Sequence, residues 1–206
     1  MTGLYHKEEV FFQNSRSGEF LFNYDVPDEG ELKLVFISLG GAVANKIRIK
    51  LGKHCNCSLY GIYLGSNAEN ISFDIVVEHQ DPESHSKQLF KGILSDNATA
   101  EFSGLIKVDP DSQKTEAYQE NHTLLLNDNA RINTKPQLEI YADDVICSHG
   151  ASVGRLDKDE LFYLRSRGIS LQEAVKMQQM AFLNDILEQI DDPKMAVAIE
   201  DKLNNM

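Results

Sequence analysis

The stretch Leu64-Gly65-Ser66-Asn67-Ala68 returns as Leu94-Ser95-Asp96-Asn97-Ala98 and again as Leu126-Asn127-Asp128-Asn129-Ala130, at spacings of 30 and 32 residues. Each copy joins an apolar leucine, a polar corner suited to left-handed or self-bonding backbone, and a small alanine that leads into the next segment. A looser copy, Leu39-Gly40-Gly41-Ala42-Val43, lies 25 residues upstream of the first. Near-constant spacing of one small unit is the mark of a chain that stacks coil upon coil. The spacing alone also leaves open a meander or sandwich whose hairpins use similar turns.

Between these corners, from about Phe20 to Cys147, the apolar residues recur with a period of two, as on strands that turn alternate side chains to a core. Ile47, Ile49 and Leu51 alternate with Arg48 and Lys50, and Phe73, Ile75 and Val77 with Asp74 and Val76. Leu138, Ile140 and Ala142 alternate with Glu139 and Tyr141. Gln80-Asp81-Pro82 and Asp109-Pro110-Asp111 supply further turns. Leu39-Gly40-Gly41 is read as a strand-to-strand corner, since no GxGxxG pattern follows it.

After Gly154 the period changes to that of helices. Asp157 with Glu160, and Ser170 with Glu173, have the spacing of capping boxes, and Gly168 suits a left-handed stop between them. Leu171, Ala174, Val175, Ala181, Phe182, Ile186 and Ile190 form the apolar side of a long amphipathic helix. Asp192-Pro193 ends it and opens a third helix striped by Met195, Ile199 and Leu203. These stripes are expected to pack on one another and on the solenoid's end, with recruitment of a partner as the alternative. The expected division is a β-helix core at 1–154 and a helical domain at 155–206.

Composition narrows the function. The 206 residues carry 20 Lys+Arg against 32 Asp+Glu, a formal net charge of -12, which disfavours nucleic acid as a partner. With 42% hydrophobic and 25% charged residues the chain resembles ordinary globular proteins. No stretch reaches the roughly 18 apolar residues of a membrane span, and the N-terminal stretch lacks a signal-peptide pattern, so no membrane partner and a cytoplasmic location are expected. No phosphate loop, GxSxG elbow, HExxH or CxxC pair is present, so nucleotide hydrolysis, serine hydrolysis and zinc-protease chemistry by this chain lack support.

The three cysteines give an odd count, which argues against a complete disulfide framework. Cys55 and Cys57, with His54 beside them, are too few for a closed metal site and are read as small buried thiols. His79 and His85 flank an Asp-Pro-Glu corner and are read as solvated loop residues. Cys147-Ser148-His149 is different, because a thiol and an imidazole two residues apart project from one face of an extended segment. Asp143 and Asp144 precede them. Two such donors make half a site, to be completed by a second chain or an incoming cluster.

The segment Lys135–Gly154, KPQLEIYADDVICSHGASVG, continuing as RLDKDELFYLRSRGI to Ile169, resembles the C-terminal region of the SufB/SufD family of the SUF machinery that assembles iron-sulfur clusters. Ser84–Leu94 and Gln113–Glu139 resemble it too, so the likeness covers at least Ser84 to Ile190. CSHGA, Cys147 to Ala151, is similar to the SufD form, since SufB usually has a glutamate where Gly150 stands here. The resemblance implies a right-handed parallel β-helix flanked by helices, mainly β in class. It also implies a non-catalytic scaffold that pairs with a SufB-like subunit and binds the ATPase SufC. His149 would lie at the SufB interface where the nascent cluster is built, as cofactor contact and, in the complex, metal ligand, with Cys147 close by. Leu161, Phe162, Tyr163, Arg165, Arg167 and Gly168 fall in the segment linked to SufC docking. No cofactor is expected on the isolated chain, which is expected to homodimerise. Family members are about twice as long, so Met1 is expected to begin a fragment.

Two other readings compete. A β-helix carbohydrate-active enzyme would use acids on an outer strand face, with Asp143, Asp144 and Arg155 as candidates, although adjacent acids on a strand face opposite sides. A purely structural homodimer is the other.

Overall fold

The computed structural model describes residues 5–206; Met1, and with it the expected start of a fragment, lies outside the described residues. Nine strands pair with one another only in parallel, which excludes the hairpin meander. They are β1 (His6–Val26), β2 (Glu31–Leu51), β3 (Asn56–Gly65), β4 (Asn70–His79), β5 (His85–Leu94), β6 (Thr99–Val108), β7 (Glu116–Leu125), β8 (Arg131–Ile140) and β9 (Ile146–Gly154). The result is a mainly β, parallel solenoid of about five turns, followed by three helices.

One face of the coil stacks β2, β3, β5, β7 and β9, and the other stacks the second half of β2 with β4, β6 and β8. The 21-residue β2 belongs to both, pairing with β3 through Glu31–Leu39 and with β4 through Ala42–Leu51. The bend between its halves falls at Gly40 and Gly41, both with positive φ. A Cβ on Gly41 would lie 1.8 Å from the Arg16 carbonyl oxygen of β1, so glycine is required there. What the sequence suggests as a corner between strands is a sharp bend inside one.

Strand structure also begins earlier than Phe20. His6–Glu19 pairs with β2 at every residue except Ser15, but its polar run of Lys7, Glu8, Glu9, Gln13, Asn14 and Arg16 hides the alternation. The corner repeat needs a one-residue correction: Leu64 pairs with Ile93 and Gly65 with Leu94, so the first two copies stack 29 residues apart rather than 30. Ser95 and Asn97 donate their backbone N–H to the carbonyls of Gly65 and Asn67, which stacks corner on corner.

Inside the coil, rings from both faces meet along the axis. Phe11 stacks on Phe36, Phe36 meets Phe73 edge-on, and Phe73, Phe90 and Phe102 follow at centroid spacings of 5.1 and 5.2 Å. Each fully buried ring contributes roughly 1.5–3 kcal/mol of transfer free energy. Ile47, Ile49, Leu51, Phe73, Ile75 and Val77 point into this core as the alternation predicts. At the last coil the pattern weakens: β8 ends at Ile140, which is exposed, and Ala142 is buried in the following corner.

The helices are α1 (Lys158–Ser166), α2 (Leu171–Leu187) and α3 (Pro193–Asn204). Ser170 and Glu173 complete a capping box, whereas Asp157 caps α1 alone by accepting from the N–H groups of Asp159 and Glu160. The helices do not close the solenoid's end. Leu183, Ile186, Ile199 and Leu203 cover the outer side of β2, β3 and β5, burying Val35, Ile37, Leu39, Ile62, Leu64 and Ile93. This is why the second halves of β3 and β5 are buried without alternation: both their faces are dry. Among the described residues no helix is long and apolar enough to cross a membrane.

Candidate functional site

On the face that stacks β2, β3, β5, β7 and β9, the parallel register sorts interior side chains into columns. One runs Leu32, Cys57, Ser86, Ala117, Cys147, and the next Leu34, Leu59, Gln88, Gln119, His149. Cys147 and His149 thus lie on the inward face of the last coil, in line with buried residues of the coil beneath. Period-two alternation brings both to one side, as their spacing predicts. Because β9 has no further strand beyond it among the described residues, this inward face is open and His149 is exposed.

Cys147 is half-buried and packs against the buried cluster of Ile106, Val108, Ala117 and Ala142. Burial pushes its thiol pKa up, with a partly opposing contribution from the Ala117 backbone. It therefore needs an incoming cation or base to become a thiolate donor. Among the described residues no three His, Cys, Asp or Glu side chains gather as a metal set. Cys147 and His149 are borderline-to-soft donors whose remaining partners must come from elsewhere.

The interior changes character on approach to this end. Phenylalanine gives way to Gln88, Gln119, Asn121 and Thr123, each at most 1% exposed. Tyr63 reaches along the axis over Gly92, where a Cβ would lie 1.9 Å from its ring. It donates to Asn121 Oδ1 at 2.9 Å and shares a 2.6 Å hydrogen bond with Thr123 Oγ1. Burial pushes the Tyr63 hydroxyl up to about 12, so it stays protonated. Asn121 also donates to Thr134 across the lumen at 3.1 Å. This polar lining escapes sequence reasoning, because buried amides look like surface residues until the register is known. The one available signal is the polar alternation Gln119, Asn121, Thr123 in phase with Ala117.

Other candidates fall elsewhere. Cys55 and Cys57 are buried, and burial raises both thiols. His54 pairs with Glu83 outside. His79 is not a solvated loop residue: it ends β4 fully buried, hydrogen-bonded to Ser84 at 2.6 Å and Ser86 at 2.9 Å. Burial, then the charge of His85, lowers its pKa to about 4. His85 itself is exposed at the start of β5 and faces Glu116. Asp143 and Asp144 sit exposed in the corner before β9, whereas Arg155 follows β9 and pairs with Asp128. A nine-residue strand, roughly 30 Å long, separates the acids from the arginine, so they form no common site.

In α1, Phe162 is 76% and Tyr163 57% exposed, and no residue of the helix is buried. Arg165, Arg167 and Gly168 are exposed beside them, and the Arg167 guanidinium lies over the Tyr163 ring at 5.1 Å. Leu161 is half-buried instead. Gln178 of α2 clamps the helix start, bonding both the N–H and the carbonyl of Asp157.

The fold and its terminal donor pair define a parallel β-solenoid with chemistry available at an open end rather than in an enclosed pocket. Residues 22–182 match the SufBD core domain of SUF system FeS cluster assembly, and the chain belongs to that family. Within it the chain is most like SufD. It is 49% identical over 116 residues to the iron-sulfur cluster assembly protein SufD of Escherichia coli, covering 56% of this chain and 27% of that protein. A SufBD family protein of Synechocystis is 43% identical over 129 residues, covering 63% of this chain and 28% of that protein. A chloroplastic protein of Arabidopsis thaliana, ABCI7, is 34% identical over 165 residues, covering 78% of this chain and 34% of that protein. The chain spans between about a quarter and a third of the length of these relatives.

Proposed function

We propose that this chain acts as a non-catalytic, SufD-like scaffold subunit in SUF cluster assembly. In this reading the open coil end carrying Cys147 and His149 meets a SufB-like subunit, and α1 receives the ATPase SufC. The nascent iron-sulfur cluster is cargo held between subunits, with His149 as its contact from this side. The observation that carries the reading is the position of His149, on the inward face of the last coil yet open to an incoming chain. A half-site of two soft donors has use only where a second surface supplies the rest. The exposed Phe162 and Tyr163 give α1 an apolar surface, bordered by the Arg167 guanidinium over the Tyr163 ring. In the same reading hydrolysis belongs to the ATPase, and the compartment is the cytoplasm.

Co-expression with SufB-like and SufC-like partners, followed by anaerobic iron and sulfide analysis, tests this. His149→Ala is expected to leave the complex assembled and lower its cluster content. Undiminished iron and sulfide in the variant complex would sink the assignment.

A further inference from the structure

We infer that Gln119 is a positioning residue for His149, accepting a hydrogen bond from one nitrogen of the imidazole and so fixing which nitrogen is left to bind. The inference takes its importance from the reading of His149 as the cluster contact, but its geometry stands independently.

Gln88, Gln119 and His149 occupy one interior column on three successive coils, as Gln88↔Gln119 and Gln119↔His149 register pairs. Adjacent coils are about 4.8 Å apart, so each side chain is within reach of the next. Gln119 donates from Nε2 to Gln88 Oε1 at 2.9 Å. That bond leaves Gln119 Oε1, like Gln88 Nε2, buried and without a partner; the Gln119 amide itself fills the space over Gly104 on the opposite face, where a Cβ would lie 2.5 Å from Oε1. Gln119 itself is fully buried. An unmet buried acceptor forfeits its hydration with nothing in return, so a donor in reach will be taken.

His149 stands next along the column, and its ring makes no hydrogen bond among the described residues. If it donates to Gln119 Oε1, the two bonds share one direction: His149 donates to Gln119, and Gln119 to Gln88 beneath it. A bond of this kind would meet the one unpaired acceptor of the column, as amide ladders do in stacked strands. The consequence for chemistry follows from the two-sided nature of imidazole. When one nitrogen carries the proton and is held by an acceptor, the other is an unprotonated donor with a fixed direction. Here that direction would be outward, toward whatever closes the coil. The Leu34 and Leu59 members of the column could not do this, so the change from leucine to glutamine occurs where the end of the coil needs a polar support.

The test reads the imidazole directly. Long-range proton–nitrogen NMR of the full chain, without iron or partner, should show His149 as one dominant neutral tautomer, with a ring N–H close to the Gln119 side chain by nuclear Overhauser contact. In Gln119→Leu the tautomer preference should be lost, and in Gln119→Glu, which keeps the acceptor, it should persist. An internal water bound by Gln119 instead would leave His149 with the same tautomer mixture in wild type and Gln119→Leu, and would overturn the inference. Should Gln119→Leu fail to fold, absence of the wild-type Overhauser contact overturns it equally. Loss of cluster in His149→Ala with no tautomer effect of Gln119 would leave the scaffold reading standing and remove only the positioning role.

Discussion

Lys202, near the end of α3, donates to the Glu69 carboxylate at 2.7 Å and so fastens the helical tail to the corner after β3. The same carboxylate accepts the Ser66 backbone N–H at 2.7 Å. Burial alone would raise the Glu69 pKa, but the bonds from Lys202 and Ser66 outweigh it and leave it lowered from 4.5. With its folded pKa below the unfolded one, Glu69 contributes stability that is present above about pH 4.5 and lost as pH falls through the folded value. Lys202→Met is expected to cost about 1–3 kcal/mol near neutrality and to remove this acid-side loss. Thermal melts of both proteins across the acid range check it, and parallel curves would count against the latch.

His79 sets a second, higher window. Its pKa falls from 6.5 unfolded to about 4 folded, so the unfolded chain binds the extra proton between those values. Stability should therefore decline as pH drops from about 6.5 toward 4, by at most about 3 kcal/mol, and this component should level off below. His79→Gln retains hydrogen bonding to the serines without the titration. Urea unfolding should show the wild-type slope reduced in the variant; an equal slope would assign the window to other groups.

Tyr63 and Gly92 should be energetically coupled, since the ring occupies the space of the missing side chain. Gly92→Ala is expected to destabilise the wild type by more than about 2 kcal/mol through overpacking. In a Tyr63→Val background the same change should cost at least about 1 kcal/mol less. Additive effects in a denaturation cycle would show that the two do not share the space.

Phe162→Ala separates stability from docking. The side chain is 76% exposed, so the melting behaviour should correspond to less than about 0.5 kcal/mol of change. Capture of a SufC-like ATPase by the co-expressed assembly should weaken at least tenfold, on the order of 1.4 kcal/mol. Unchanged capture would move docking away from α1.

Much of the architecture can be read from the chain because solenoid geometry is local and repetitive. Ile47, Ile49 and Leu51 announce their inward face by alternation, and Asn67 and Asp96 take the positive φ that their corner chemistry predicts. His79 could not be read, since its burial depends on Ser84 and Ser86 closing over it from the next coil. The helical stripes likewise announce that α2 and α3 must bury a face, but not which surface receives it.

By itself the sequence determined the strands and most of their corners, the three helices and the common face of Cys147 and His149, because those follow from periods of two and 3.6 and from short-range turn chemistry, while the parallel pairing that makes a coil of the strands was settled by the structure. Only the tertiary structure decided that Gln88, Gln119 and His149 share one column, that Tyr63 fills the gap over Gly92, and that the helices lie along the flank and leave the end open. Those relations depend on register between strands 25 to 31 residues apart. A shift of one residue in any corner would turn every side chain beyond it to the other face.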